Sequence, residues 1–243
     1  MQLTITLSEP KITLPFASSH IYQGLIYNAL TVDKGYASNV HDKGSLSFSS
    51  GERAYKLFTF GDAIGKRIVN VQQKTVTFLD ELTFEIRSPD SYFIQLLIMF
   101  FSRNQNLKLG KNNVLLKDFN LTDKVITKDR IQIKTLSPIS VHWTVDKKTV
   151  FFSPEEEKFY SMIITNAKRK WESYSGSSDG FYLNVLPTEN REYKKVATRV
   201  KNLCTTGYHG SFILEGPPEI LNFLYHAGLG AKNSYGFGMF EEI

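Results

Sequence analysis

The sequence predicts an α+β fold built from two tandem β-α-β-β-α-β units, and three observations carry that prediction. Polar and apolar residues alternate with period two in Gln2-Leu3-Thr4-Ile5-Thr6-Leu7 and in Leu82-Thr83-Phe84-Glu85-Ile86-Arg87, the mark of half-buried strands. Apolar residues at helical spacing recur in both halves of the chain. The order strand, helix, strands, helix, strand is written once up to about residue 121 and again from about residue 130, which is the ferredoxin-like (RRM-like) arrangement twice over. The expected domains are therefore 1–123 and 124–243.

In the first half, residues 2–7 form a strand and residues 10–19 a connection. Ile21, Leu25, Ile26, Ala29 and Leu30 then mark a helix, with Ser18 or Ser19 as its cap. Residues 35–51 are rich in Gly, Ser, Asp and Asn and read as a loop, with a short helix over 36–40. Residues 57–60, 69–78 and 82–87 read as strands. Ser88-Pro89-Asp90 opens a helix to about residue 102, and residues 107–121 are extended around a Gly110 turn. In the second half, 131–135 and 141–152 are strands. Ser153-Pro154-Glu155-Glu156 starts a helix running to about Trp171. Strands follow at 181–186, 196–203 and 212–215, then a short helix over 220–227 and a closing strand at 237–241.

Composition narrows the function classes. Hydrophobic residues at 42% and charged residues at 22% exclude wholesale disorder. With 29 Lys and Arg against 24 Asp and Glu, the net charge of +5 admits an anionic partner without demanding one. The single Cys excludes an internal disulfide and a zinc cage, and it points to a reducing interior. The amino terminus lacks a signal-peptide pattern, and the longest apolar run, residues 93–101, is too short to span a bilayer. A cytoplasmic protein with no membrane partner is expected.

The segment Gly228-Leu229-Gly230-Ala231-Lys232-Asn233-Ser234-Tyr235-Gly236-Phe237-Gly238 is the most distinctive. Glycine permits positive φ and close backbone approach, and exposed N–H groups beside Lys232 suit an anion. It is neither a dinucleotide fingerprint, because it follows a helix, nor a phosphate loop of the Gly-Lys-Ser type. The 5 histidines show no metal-ligand spacing. His41, in Asn39-Val40-His41-Asp42-Lys43-Gly44, is placed to titrate near neutrality as an acid or base, though most loop histidines do no such work. His142 reads as a sheet residue, and His226, at a helix C-terminus, as a position favouring the charged ring. Tyr27 lies on the first helix beside Gly24, a residue that is costly there and suggests close packing. Lys56 stands where a loop enters a strand. Lys195, Arg199 and Lys201 fall at period-two spacing on one face, a stripe fit to follow a phosphate backbone or simply a solvated surface.

Together these segments resemble a known family, the CRISPR-associated repeat-processing endoribonucleases of the Cas six group. The glycine pattern of residues 228–238 looks like that family's glycine-rich loop. Gln23-Gly24-Leu25-Ile26-Tyr27-Asn28 resembles its first-helix motif, and His41-Asp42-Lys43-Gly44 and Lys56-Leu57-Phe58-Thr59-Phe60 the segments that follow. Thr135-Leu136-Ser137-Pro138-Ile139 resembles the opening of its second domain. The resemblance implies tandem ferredoxin-like domains and metal-independent cleavage within CRISPR repeat RNA. It places the catalytic histidine on His41, the helix tyrosine on Tyr27 and the phosphate-facing lysine on Lys56, with His20 as an open second histidine. RNA binding falls to Gly228, Gly230, Lys232, Gly236 and Gly238, and to the stripe of Lys195, Arg199 and Lys201.

Such cleavage needs a base for the 2′-OH, an acid for the leaving 5′-oxygen and a cation for the phosphorane. His41 and Tyr27 would share the proton transfers, in an order the sequence leaves open, and Lys56 would stabilise charge. No metal or cofactor is expected. The expected partners are repeat RNA and its precursor, other subunits of an RNA-guided complex, and a second copy of the chain in a homodimer. The competing readings are a non-catalytic RNA-binding module, although no RRM-type aromatic signature is present, and an assembly subunit of an RNA-guided complex.

Overall fold

The computed structural model describes residues 1–42, 49–50, 53–146, 148–200 and 203–243. The first half runs β1 (Gln2–Pro15), α1 (Ser19–Leu30), α2 (Lys34–Asp42), β2 (Ser49–Ser50), β3 (Arg53–Ala54), β4 (Thr59–Phe60), β5 (Arg67–Asn70), β6 (Thr75–Arg87), α3 (Ser91–Arg103), β7 (Asn106–Leu109) and β8 (Asn112–Thr122). Its sheet has the order β4-β6-β1-β8-β7, with β5 also pairing β6. The second half runs β9 (Arg130–Thr135), β10 (His142–Val145), β11 (Lys148–Phe151), α4 (Glu157–Ser175), β12 (Asn184–Pro187), β13 (Lys194–Val200), β14 (Leu203–His209), β15 (Ser211–Glu215), α5 (Pro218–Ala227) and β16 (Phe240–Glu242). Its main sheet has the order β12-β15-β9-β16. In the first sheet β1 lies between β6 and β8 with β4 at an edge, and in the second β9 lies between β15 and β16 with β12 at an edge. That is the ferredoxin-like order in both halves, so the fold is two such units in tandem.

Several expected elements change for physical reasons. β1 does not stop at Leu7. Leu3, Ile5 and Leu7 face inward, the register against β6 shifts between Ser8 and Lys11, and Ile12 and Leu14 then face inward. That one-residue slip flips the alternation, so the strand reads as a strand plus a connection although its backbone continues through Pro10. The expected strand at 69–78 is a hairpin, β5 turning into β6, and the one at 141–152 is the hairpin of β10 and β11. The one at 196–203 is likewise a hairpin, with Val200 of β13 paired to Leu203 of β14. α4 starts at Glu157 rather than at Pro154: Ser153 N donates to Glu156 Oε1 at 2.7 Å, and Ser153 Oγ accepts from Glu155 N at 3.2 Å. α3 begins as expected, with Asp90 Oδ1 accepting from the amides of Tyr92 and Phe93 at 2.9 and 3.2 Å.

Each half has its own core. Ile5, Phe84, Phe93 and Leu97 belong to the first, and Ile133, Phe159, Phe212 and Leu224 to the second. Contacts also cross between them. Leu57 is buried in the second core, Arg87 Nη1 donates to Phe240 O at 2.6 Å, and the Arg87 guanidinium lies 3.8 Å from the Tyr225 ring centroid. Among the described residues no helix is long and apolar enough to cross a membrane.

Candidate active site

α1 presents two faces. Tyr22, Leu25, Ile26, Ala29 and Leu30 are buried, while His20, Gly24 and Asn28 are exposed and Tyr27 sits half-buried between. The Tyr27 ring meets Phe58 edge-on at 6.2 Å, and Lys56 Nζ donates to the Tyr27 hydroxyl at 2.9 Å, 5.2 Å from the ring centroid. Two residues 29 apart in sequence, expected to act together, are thus in direct contact. Burial, with a smaller contribution from nearby Tyr235, pushes the Tyr27 pKa well above its ordinary value, so the hydroxyl keeps its proton. α2 brings its last turn alongside: Val40 and Lys56 line one small pocket with Tyr36, Phe58, Asp90 and Phe93. His41 follows Val40 in that helix, and its side chain lies outside the described residues. His20 is exposed in the first turn of α1.

The glycine-rich loop packs against this helix. Gln23 Nε2 donates to Ser234 O at 2.5 Å, and residues Asn233–Tyr235 form a 3-10 turn. Gly228, Gly230, Gly236 and Gly238 all have positive φ and are all buried. Each leaves room for a specific neighbour. A Cβ on Gly236 would lie 2.7 Å from the Phe60 ring, one on Gly230 2.7 Å from Ser140 O, and one on Gly238 1.9 Å from Leu229 O. A Cβ on Gly228 would lie 2.6 Å from Asn233 Nδ2. The glycines face inward, and Ala231, Lys232 and Tyr235 are the partly exposed members of the loop. Lys232 itself holds the left-handed conformation at φ 64°, with its ammonium 5.9 Å from the Tyr235 ring centroid.

All but one of the motif segments singled out in the sequence converge here. Thr59 Oγ1, next to Phe60, donates to Phe237 O at 3.0 Å. From the second domain's opening segment, Pro138 O accepts from Gly238 N and Ser137 Oγ accepts from Met239 N, both at 2.9 Å. The remaining one, residues 41–44, reaches Asp42 within the described helix, and Lys43 and Gly44 lie outside the described residues.

The sequence did not single out Lys170 or Asn233. Lys170 is 2% exposed; its ammonium donates to Gly228 O, to Gly230 O at 3.3 Å and to Asn233 Oδ1 at 3.1 Å. Burial pushes its pKa down to about 7. The signal was available: Ile163, Ala167, Lys170 and Trp171 share the buried stripe of α4, and a lysine on an apolar stripe needs a partner.

The basic stripe lies only partly within the described residues. Lys195 is exposed on β13, and the Arg199 side chain and Lys201 lie outside the described residues. A cleft of about 1110 Å³ is lined by Lys134, Tyr193, Lys194 and His209, and neither Tyr27 nor Lys56 borders it.

Comparison with known proteins gives this geometry a family. Residues 121–242 match the family described as CRISPR associated protein Cas6, C-terminal. A CRISPR-associated endoribonuclease Cas6 of Methanocaldococcus jannaschii is 26% identical over 254 residues, covering 100% of this chain and 93% of that protein. A CRISPR-associated endoribonuclease Cas6 of Pyrococcus furiosus is 32% identical over 108 residues, 43% of this chain and 39% of that protein. A solved structure described as a Cas6-related gene product from Pyrococcus furiosus superposes with a TM-score of 0.82 at 22% identity, covering 100% of this chain and 98% of that one. With the family match spanning half of the chain and the fold shared end to end, this protein belongs to the Cas6 family of CRISPR-associated proteins.

Proposed function

We propose that this chain is an endoribonuclease that cleaves CRISPR repeat RNA through attack of the substrate's own 2′-hydroxyl. The observation that carries this reading is the Lys56–Tyr27 contact at 2.9 Å, set against the glycine-rich loop. The base takes the 2′-OH proton, the O2′–P bond forms, the P–O5′ bond breaks, and the acid returns a proton to O5′. The products are a 2′,3′-cyclic phosphate and a 5′-OH. Tyr27 is the acid in this scheme, because burial keeps its hydroxyl protonated. His41, on the helix end beside Lys56, is the base, and Lys56 balances the charge that develops on the phosphorane. Lys232 and Lys195 supply cations to the RNA backbone, with Arg199 and Lys201 beyond the described side chains. The four glycines shape the loop that presents Lys232. Repeat RNA and its precursor are the partners, in the cytoplasm, with other subunits of an RNA-guided complex and a second copy of the chain as further partners.

The test replaces the single ribose 5′ of the scissile phosphate with deoxyribose. Binding persists, because backbone charge and base contacts remain. Cleavage stops, the same RNA becomes a competitive inhibitor, and unmodified RNA is cut in the presence of chelator. Continued cutting of the deoxy substrate with a divalent-ion requirement overturns the mechanism. Tight binding with no cleavage of any repeat RNA favours a non-catalytic RNA-binding module.

A further inference from the structure

Lys170 takes no part in the chemistry described above, yet its ammonium is buried and fully coordinated. An ammonium has three protons, and here three oxygens receive them: Gly228 O, Gly230 O and Asn233 Oδ1. Among the described residues no carboxylate pairs with it. A buried charge with only neutral acceptors is costly, and an apolar side chain of the same length would fill the space without that cost. What the charge supplies is convergence. Three oxygens from one loop point at a single spot, and without a cation between them they repel one another.

The cage continues beyond the lysine. Asn233 accepts from Lys170 through Oδ1, and its Nδ2 donates to Leu229 O and to Phe237 O, both at 3.0 Å. Phe237 O also accepts from Thr59 Oγ1 of β4. Gly228 and Gly238 leave the space that the Asn233 amide occupies: a Cβ on either would lie 2.6 Å from Nδ2. One residue after Asn233, Ser234 O accepts from Gln23 of the catalytic helix, and the next residue is Tyr235. An unbroken chain of hydrogen bonds thus runs from α4 through the loop to β4, and the same loop docks on α1.

We propose that Lys170 is a positioning residue of this ribonuclease, its ammonium fixing the glycine-rich loop in the shape that sets Ser234 and Tyr235 against the helix bearing Tyr27. The proposal rests on the ribonuclease reading, but its first measurement does not. The loop's own amide bonds, Gly228 N to Leu224 O, Gly236 N to Asn233 O and Gly238 N to Pro138 O, report its shape directly.

The experiment, run near pH 6.5 where Lys170 carries its charge, compares wild type with Lys170→Met by amide hydrogen exchange and by single-turnover cleavage of repeat RNA. Lys170→Met loses protection over residues 228–238 while β1 and β6 keep theirs. Its cleavage rate at saturating RNA falls by roughly 10- to 100-fold, the scale of a catalytic group misplaced by about 1 Å, while RNA affinity changes much less. Lys170→Arg keeps the charge but brings a planar fork to a three-cornered cage, and it restores protection and rate only in part. Should Lys170→Met fail to fold, Lys170→Arg and Asn233→Ala provide the same two readouts. Wild-type loop protection in the variants overturns the proposal, as does a loosened loop with an unchanged rate. If wild type itself does not cut RNA, the ribonuclease reading fails, and hydrogen exchange still decides whether Lys170 shapes the loop.

Discussion

A tyrosine hydroxyl that burial keeps protonated serves as a proton donor, and a lysine donating to that hydroxyl adds a cation beside the same spot. Tyr27 and Lys56 stand in this relation. Tyr27→Phe should fold normally and slow cleavage by roughly 10²- to 10⁴-fold, the usual worth of one acid or base, with RNA affinity nearly unchanged. Lys56→Ala should slow cleavage and weaken binding together, since a cation near phosphate acts on ground and transition states alike. Single-turnover kinetics alongside equilibrium binding separate the two outcomes, and a full-rate Tyr27→Phe removes the acid assignment. Gly24 gives a contrasting single-residue test. Among the described residues nothing lies within 4 Å of a Cβ there, so none of them supplies the close packing expected from the sequence. Gly24→Ala should therefore stabilise α1 by about 0.5–1 kcal/mol in denaturant melts.

At the scale of elements, the glycine-rich loop and the β13–β14 hairpin carry opposite expectations. The loop is an interior object. Gly238→Ala puts a methyl group 1.9 Å from Leu229 O at φ 76°, so it should destabilise the protein by on the order of 3 kcal/mol. A melt of Gly238→Ala beside Gly24→Ala should show shifts of opposite sign. The hairpin is an exterior object, with Lys195 exposed and paired in register with Tyr208. If it follows RNA, Lys195→Ala combined with Lys232→Ala should flatten the dependence of log K on log salt by about 0.7 for each phosphate that is no longer neutralised. An unchanged slope places both lysines away from the RNA.

Over the whole molecule, two buried titratable groups contribute to the pH dependence of stability. Lys170 has a folded pKa of about 7 against its ordinary 10.5. Between those values the unfolded chain binds more protons than the folded one, so stability rises as pH climbs from about 7 toward 10.5. Below 7 the folded protein carries the buried charge and its cost is fully present. Lys170→Met should lack that rise, and urea melts at pH 6.5 and 9.5 read the difference. His226 reverses an expectation from the sequence. A helix C-terminus favours the charged ring, but burial, and next the nearby amino terminus, push its pKa down to about 4. The folded protein holds it neutral, so stability falls as pH drops from 6.5 through 4, by on the order of 3 kcal/mol in all. His226→Gln should remove most of that loss.

What the sequence determined by itself was local and periodic. Alternation placed most strands, and helical spacing, with Asp90 as a cap for α3, placed the helices. The repeated order of elements led to two ferredoxin-like units, and the spaced glycines marked the loop. Tyr27 and Lys56 were legible only through family resemblance, because neither residue carries a signal in its own neighbourhood. Tertiary structure decided the rest. The slip at Ser8 and Lys11 depends on pairing with β6, a partner some seventy residues away, and so no local pattern records it. The turns inside 69–78, 141–152 and 196–203 were hidden because hairpin arms share one β-rich composition across a short reversal. The inward aim of the four glycines was equally hidden, since a glycine's motif does not say which side of the backbone needs the space. Lys170 reads in the sequence as one more cation in Lys168-Arg169-Lys170; only the packing of α4 under the glycine-rich loop surrounds it with three oxygens. Charge and spacing are written along the chain, while burial is a property of what folds back over it.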